Sequence, residues 1–111
     1  MQSEIQIQAA FFQWAWNEHP QTRRCLFSVP NGGTRDIREA GQLKASGMLA
    51  GVSDMILLWL GKAYCIEFKK PGGVQSMAQK LFEQAVSPHA EYVLFDNLED
   101  AQRWFDKIVI T

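Results

Sequence analysis

The stretch GVSDMILLWLGKAYCIEFKK, Gly51 to Lys70, decides how this chain folds. It contains two apolar runs, DMILLWL and AYCIEFK, separated by Gly61-Lys62, and a Gly-X pair between alternating strands suits a two-residue hairpin loop. With that loop, Leu60 faces Ala63, Ile56 faces Glu67 and Asp54 faces Lys69. Side chains alternate between faces along a strand, so Asp54, Glu67 and Lys69 are expected to project from one side, beside Ile56, Leu58 and Cys65. Three charges therefore converge at the end of the hairpin away from its turn.

The convergence has two readings. Asp54 and Lys69 can form an ordinary cross-strand ion pair with Glu67 on a solvated face. Alternatively, Asp54 and Glu67 lie diagonally, about 7 to 8 Å apart, a gap that a divalent cation can bridge. Two adjacent carboxylates repel and raise each other's pKa, so the pair calls for a compensating cation, either Lys69 or a metal. Oxygen-only ligation favours Mg²⁺ or Mn²⁺ over zinc, and such a site suits hydrolysis of a phosphoryl ester. Lys69 would then orient water or stabilise developing negative charge.

Outward from the hairpin, helices and strands interleave. Ser3 and Gln6 make a capping box, and Ile5, Ala9, Phe12 and Trp16 keep helical spacing to about Asn17. CLFSV reads as a short strand stopped by PNGG, and Thr34 to Ser46 as an exposed helix ended by Gly47. Val74, Met77, Ala78, Leu81, Phe82 and Ala85 mark a third helix, EYVLF a further strand, and Asn97 caps a last helix to about Lys107. The predicted order is αβαββαβα, an α/β fold with a central mixed sheet covered on both faces.

The chain is 111 residues with 47% hydrophobic content, which suits one domain over residues 1–111. No window approaches the apolar length of a membrane span, and MQSEIQIQ lacks the order of a secretory signal, so a cytoplasmic protein without a membrane partner is expected. Cys25 and Cys65 sit in apolar runs without ligand spacing and read as buried thiols. The net charge of −1 excludes binding of nucleic acid by bulk positive charge alone, yet residues 23–80 hold nine Lys/Arg against four Asp/Glu. That basic middle is compatible with a local phosphate-binding surface or with a solvated face.

GVSD followed by IEFK resembles the Asp and Glu-x-Lys elements of the PD-(D/E)XK nuclease superfamily, and the wider pattern resembles its virus-type replication-repair nuclease (VRR-NUC) branch. The resemblance spans most of the chain: Glu4 on the first helix, PNGGTR after the first strand, SGMLAGVSD before the second, and Ser76-x-x-Gln79 opening the third helix. Ser53 stands where the branch commonly has proline, and Phe68 where it commonly has an aliphatic residue. The resemblance implies the restriction-endonuclease-like fold and Mg²⁺- or Mn²⁺-dependent cleavage of DNA. It assigns the metal to Asp54, Glu67, the Phe68 carbonyl and Glu4, water handling to Lys69, and a positioning role to Gln79. Short stand-alone members resemble homodimeric enzymes acting on branched DNA such as four-way junctions, with no nucleotide cofactor. The alternatives are a nickase or flap-type nuclease of the same fold, or a catalytically silent DNA-binding module.

Arg35, Arg38 and Lys44, on the polar second helix, and Lys70, beside Pro71, are candidates for phosphate contact. Glu4 equally fits a first-turn carboxylate favoured by the helix dipole, and Gln79 an exposed glutamine. His19 and His89 read as surface residues, and the four tryptophans as core or interface. Phe11, Phe12, Trp14 and Trp16 are expected to form either a dimer interface or internal core.

Overall fold

The structure is a computed structural model and describes residues 2–30 and 37–110. Helix α1 (Glu4–Glu18) is followed by a single 3-10 turn at Pro20–Thr22, strand β1 (Leu26–Ser28) and helix α2 (Ile37–Ala45). The hairpin strands β2 (Met55–Trp59) and β3 (Lys62–Phe68) come next, then α3 (Met77–Val86), β4 (Glu91–Phe95) and α4 (Leu98–Val109). The expected order αβαββαβα is the observed one. Residues 31–33 of the PNGG stop and the start of the second helix, 34–36, lie outside the described residues.

The sheet has the order β1-β2-β3-β4, antiparallel across β1-β2-β3 and parallel between β3 and β4. The parallel pair requires a crossover, and α3 supplies it. The core lies on one face of the sheet, where Met55, Leu57, Tyr64, Ile66 and Phe68 meet Ile7, Phe11 and Ala15 of α1 and Ala101, Phe105 and Val109 of α4. Phe11 sits at its centre, with ring centroids 5.5 Å from Phe68 and 5.3 Å from Phe105. Of the aromatic stripe on α1, Phe11 is therefore core, Phe12 and Trp14 pack against it, and Trp16 is exposed under the Arg23 guanidinium, 4.5 Å from its ring.

His19 is not a simple surface residue. Its Nε2 lies 2.7 Å from Asp106 Oδ1, and its ring meets Trp14 and Phe105 edge-on, tying the end of α1 to α4. Both cysteines are free, Cys25 half-buried and Cys65 buried. No helix among the described residues is long and apolar enough to cross a membrane.

The hairpin loop is Leu60-Gly61 rather than Gly61-Lys62, because the strands end at the pair Trp59–Lys62. Both loop residues have positive φ, 50° at Leu60 and 81° at Gly61, the sign that a type I′ turn requires. The register moves by two: Ile56 faces Cys65 and Met55 faces Ile66, so the next step outward sets Asp54 across from Glu67. An even shift preserves the faces, so the expected grouping of Asp54, Glu67 and Lys69 survives while the pairing changes.

The opposite face of the sheet is covered by α3, whose Phe82 ring meets Tyr92 of β4 with centroids 6.3 Å apart. Val74, Met77 and Leu81, part of the stripe that marked this helix, are exposed, so α3 rests on the sheet along a narrower line than its apolar spacing implied. Gly51 sets how closely the segment before β2 meets α3. Its φ is +85°, and a Cβ there would lie 2.4 Å from the Ala78 carbonyl carbon and oxygen and 2.8 Å from Gln79 N. Only glycine fits this backbone-on-backbone approach.

Candidate functional site

Asp54 stands just before β2, where the ladder with β3 opens. Its backbone carbonyl accepts the N–H of Val29 at 2.8 Å, and its carboxylate Oδ2 accepts the N–H of Phe68 at 2.7 Å. The side chain thus closes a β3 donor that has no strand partner beyond Met55. This charge-assisted bond holds the carboxylate toward the α3 side of β3.

Glu67 and Lys69 follow on that same face and are both buried, Glu67 at 1% exposure and Lys69 at 8%. Glu67 lies beneath α3 on the central strand, and Lys69 lies beneath a turn closed by Gly73 N–H donating to the Lys70 carbonyl at 2.8 Å. A Cβ on Gly73 would be 3.5 Å from Lys69 Cβ, an ordinary contact, so that turn lies close beside the lysine stem.

A buried carboxylate must find donors, and Glu67 has one for each oxygen. Gln79 Nε2 donates to Oε2 at 3.2 Å, and the Tyr92 hydroxyl donates to Oε1 at 3.4 Å. Gln79 is poised for this by the helix start. Ser76 Oγ accepts the Gln79 N–H at 3.2 Å, and Gln79 Oε1 accepts the Ser76 N–H at 2.8 Å, a capping box that leaves the amide nitrogen free to reach the sheet. Beyond Tyr92, Gln75 Nε2 donates to the phenol oxygen at 3.2 Å and to Glu83 Oε1 at 3.0 Å.

Burial pushes the Glu67 carboxyl from its ordinary 4.5 up to about 8, and Asp54 adds to this through a hydrogen bond that favours protonated Glu67 and through charge repulsion. Lys69 and the Tyr92 hydroxyl oppose the shift. Burial also raises the Tyr92 hydroxyl, helped by the charges of Glu67 and Glu83. A carboxyl group raised mainly by burial, and further by a neighbouring carboxyl, is short of positive charge when ionised, and a hard dication would supply it. Cys65 is a soft ligand on this face, but burial raises its thiol pKa and so disfavours the thiolate that a metal would need. Asp54 and Glu67 are thus two oxygen donors that could hold a hard dication such as Mg²⁺ or Mn²⁺.

The other expected residues are distributed as follows. Glu4 is half-buried in the first turn of α1, and among the described residues no three His, Cys, Asp or Glu side chains are grouped to hold an ion, so Glu4 is not gathered with Asp54 and Glu67. Phe68 points its ring into the core while its backbone lines the site. Arg38 and Lys44 are exposed on α2, Lys70 is exposed beside Lys69, and Arg35 lies outside the described residues. His89 is exposed. Sequence reasoning does not reach Tyr92, Gln75 and Glu83. A signal is present in EYVLF, where a tyrosine with a polar tip falls on the same face as Cys65 once β3 and β4 are paired Cys65–Tyr92.

Among solved structures, the chain is similar to one described as a VRR_NUC domain protein, with a TM-score of 0.79 and 18% sequence identity over 99% of this chain and 90% of that one. The likeness spans nearly the whole chain and shows that its mixed α/β fold, a four-stranded sheet with four helices, is the fold of that protein. No family model matches the sequence, and no curated protein matches it.

Proposed function

We propose that this chain is a metal-dependent nuclease of the VRR-NUC type that hydrolyses phosphodiester bonds in DNA. The observation that carries the reading is the pairing of Asp54 with buried Glu67 across the open end of the β2–β3 hairpin, with Lys69 on the same face, on a fold shared with a VRR_NUC domain protein. Asp54, Glu67 and the Phe68 carbonyl would hold Mg²⁺ or Mn²⁺, which when bound supplies charge neutralisation at the scissile phosphate and acidifies the attacking water.

The chain's own groups do the remainder. Gln79 and Tyr92 fix the two oxygens of Glu67, so its carboxylate does not reorganise as charge develops. Lys69 Nζ holds the nucleophilic water by hydrogen bonding and counters the negative charge that builds on the phosphorus oxygens. In-line attack leaves a 5′-phosphate and a 3′-hydroxyl. Arg38, Lys44 and Lys70 contact the DNA backbone, where their exposed charges orient the substrate without reading its sequence.

The substrate proposed is branched DNA, with the four-way junction resolved by a homodimer in the cytoplasm. A junction requires two strands to be cut, and two copies related by a two-fold axis present two equivalent sites. The test compares cleavage of a four-way junction, a flap and plain duplex by wild type and Asp54→Ala, with and without Mg²⁺ or Mn²⁺. Paired metal-dependent cuts in the junction, lost in Asp54→Ala, support the proposal. Cleavage of the flap or a single nick would reassign the substrate, and DNA binding without cleavage under any condition would overturn the nuclease reading.

A further inference from the structure

We propose that Tyr92 is a positioning residue for Glu67, and that Gln75 and Glu83 set the direction in which its hydroxyl points. The inference rests on the reading of Glu67 as a group that holds the metal, and it concerns residues that the resemblance to known nucleases does not mark.

The hydrogens available decide the direction of each bond. A tyrosine hydroxyl has a single hydrogen and can both donate and accept. The Gln75 amide nitrogen has two hydrogens, and the structure gives each a partner: Glu83 Oε1 at 3.0 Å and Tyr92 Oη at 3.2 Å. Because a carboxylate only accepts, Glu83 requires the nitrogen end of the Gln75 amide, and this fixes which end faces Tyr92. With a donor already directed at its oxygen, Tyr92 turns its own hydrogen to the remaining acceptor, Glu67 Oε1 at 3.4 Å. A directed chain results, running from α3 (Glu83) and the segment before it (Gln75) through β4 (Tyr92) to β3 (Glu67).

The 3.4 Å distance is long for an O–H···O bond, so the contact contributes orientation more than binding energy. Gln79 holds Oε2, and once the proton shared with Asp54 is lost, a carboxylate held through one oxygen can still rotate. Tyr92 supplies the second point, and its ring is itself braced by Phe82. Hydrogen-bonded partners of metal-holding carboxylates commonly alter metal affinity about 10- to 100-fold when removed.

The test is a double-mutant cycle on the full chain, using Tyr92→Phe, Glu83→Ala and the double variant. Mn²⁺ affinity is measured by calorimetry, and three-bond NMR couplings report the rotamer of Glu67 in metal-free protein. Tyr92→Phe keeps the packed ring, so folding is retained. It should weaken Mn²⁺ binding about 10-fold, lower kcat with KM for DNA unchanged, and average the Glu67 couplings over several rotamers. Glu83→Ala frees the Gln75 amide to flip and should weaken Mn²⁺ binding in the wild-type background but add nothing to Tyr92→Phe. Unchanged affinity in Tyr92→Phe, or losses that simply add, would overturn the proposal. If wild type holds no Mn²⁺ that depends on Asp54, the metal reading fails separately, and the couplings decide the positioning role: averaging in Tyr92→Phe supports it, and a retained single rotamer refutes it.

Discussion

The Asp54 carboxylate accepts the backbone N–H of Phe68 at 2.7 Å, so one side chain both terminates the β2–β3 ladder and faces Glu67. The two tasks separate by mutation. Asp54→Asn keeps an acceptor for Phe68 and should unfold near the wild-type urea midpoint, whereas Asp54→Ala leaves that N–H unpaired at a cost of about 1–2 kcal/mol. Both variants should lose metal-dependent cleavage by at least about 100-fold, since both remove a ligand charge. Appreciable cleavage by Asp54→Asn would remove Asp54 from the metal site.

Ser76 and Gln79 offer a second separation. Ser76→Ala removes the cap on α3, worth about 1 kcal/mol, but leaves the Gln79 amide in reach of Glu67. Gln79→Ala keeps that cap, because the backbone N–H at 79 remains, but removes the reciprocal bond to the Ser76 N–H and the amide that reaches Glu67. Cleavage should fall further in Gln79→Ala than in Ser76→Ala, although both lower the melting temperature. Equal activity in the two would confine Gln79 to helix capping.

The raised Glu67 carboxyl fixes the sign of a pH effect. Folded protein binds this proton more tightly than unfolded protein, so the contribution of Glu67 to stability is full below about pH 4.5 and is lost as pH rises toward about 8. Metal-free protein should therefore lose urea resistance across that window, and Glu67→Gln should flatten the slope. Mn²⁺ displaces the proton, so its affinity should rise with pH over the same range. A metal-free stability profile rising from about pH 5 to about 8, once other carboxylates are accounted for with Glu67→Gln, would contradict the geometry.

Arg38, Lys44 and Lys70 are exposed, so alanine at each should leave the fold intact. Each substitution is expected to weaken DNA binding and to lower the slope of log affinity against log salt by about 0.9 for every phosphate that the side chain neutralises. An unchanged slope would show that the residue neutralises none.

His19 makes the converse prediction. It bonds Asp106 at 2.7 Å and packs on Trp14 and Phe105, on the face of the sheet opposite Glu67. His19→Ala should destabilise the fold by about 1–2 kcal/mol with cleavage unaltered at a temperature where the variant is folded.

Much of this architecture is legible in the sequence because the relevant signals are local. The Ser3–Gln6 capping box, the Asn97 cap and the alternation in β2 and β3 each depend on residues within one turn or one strand. The hairpin register departs from expectation because Leu60 adopts positive φ, a conformation uncommon outside glycine, asparagine and aspartate, and the loop begins one residue earlier as a result. The grouping of Asp54, Glu67 and Lys69 withstands that shift because faces depend on parity rather than on partners. Tyr92 and Gln75 are hidden for a different reason. Their roles follow from the parallel pairing of β3 with β4 and from the seat of α3, both long-range, and no spacing within the chain encodes them. His19 is hidden likewise, since its partner lies 87 residues away.

At Gly51, two main chains meet with no side chain between them, one leading into Asp54 and the other carrying Gln79. The clearance is already used up, so even a methyl group would act as a wedge and lever the start of the helix off the strand. The residue that contributes no chemistry of its own therefore sets the spacing between the groups that do. A chain with every charged and polar site residue intact, but with alanine at this one position, would keep the parts of the centre and lose their alignment.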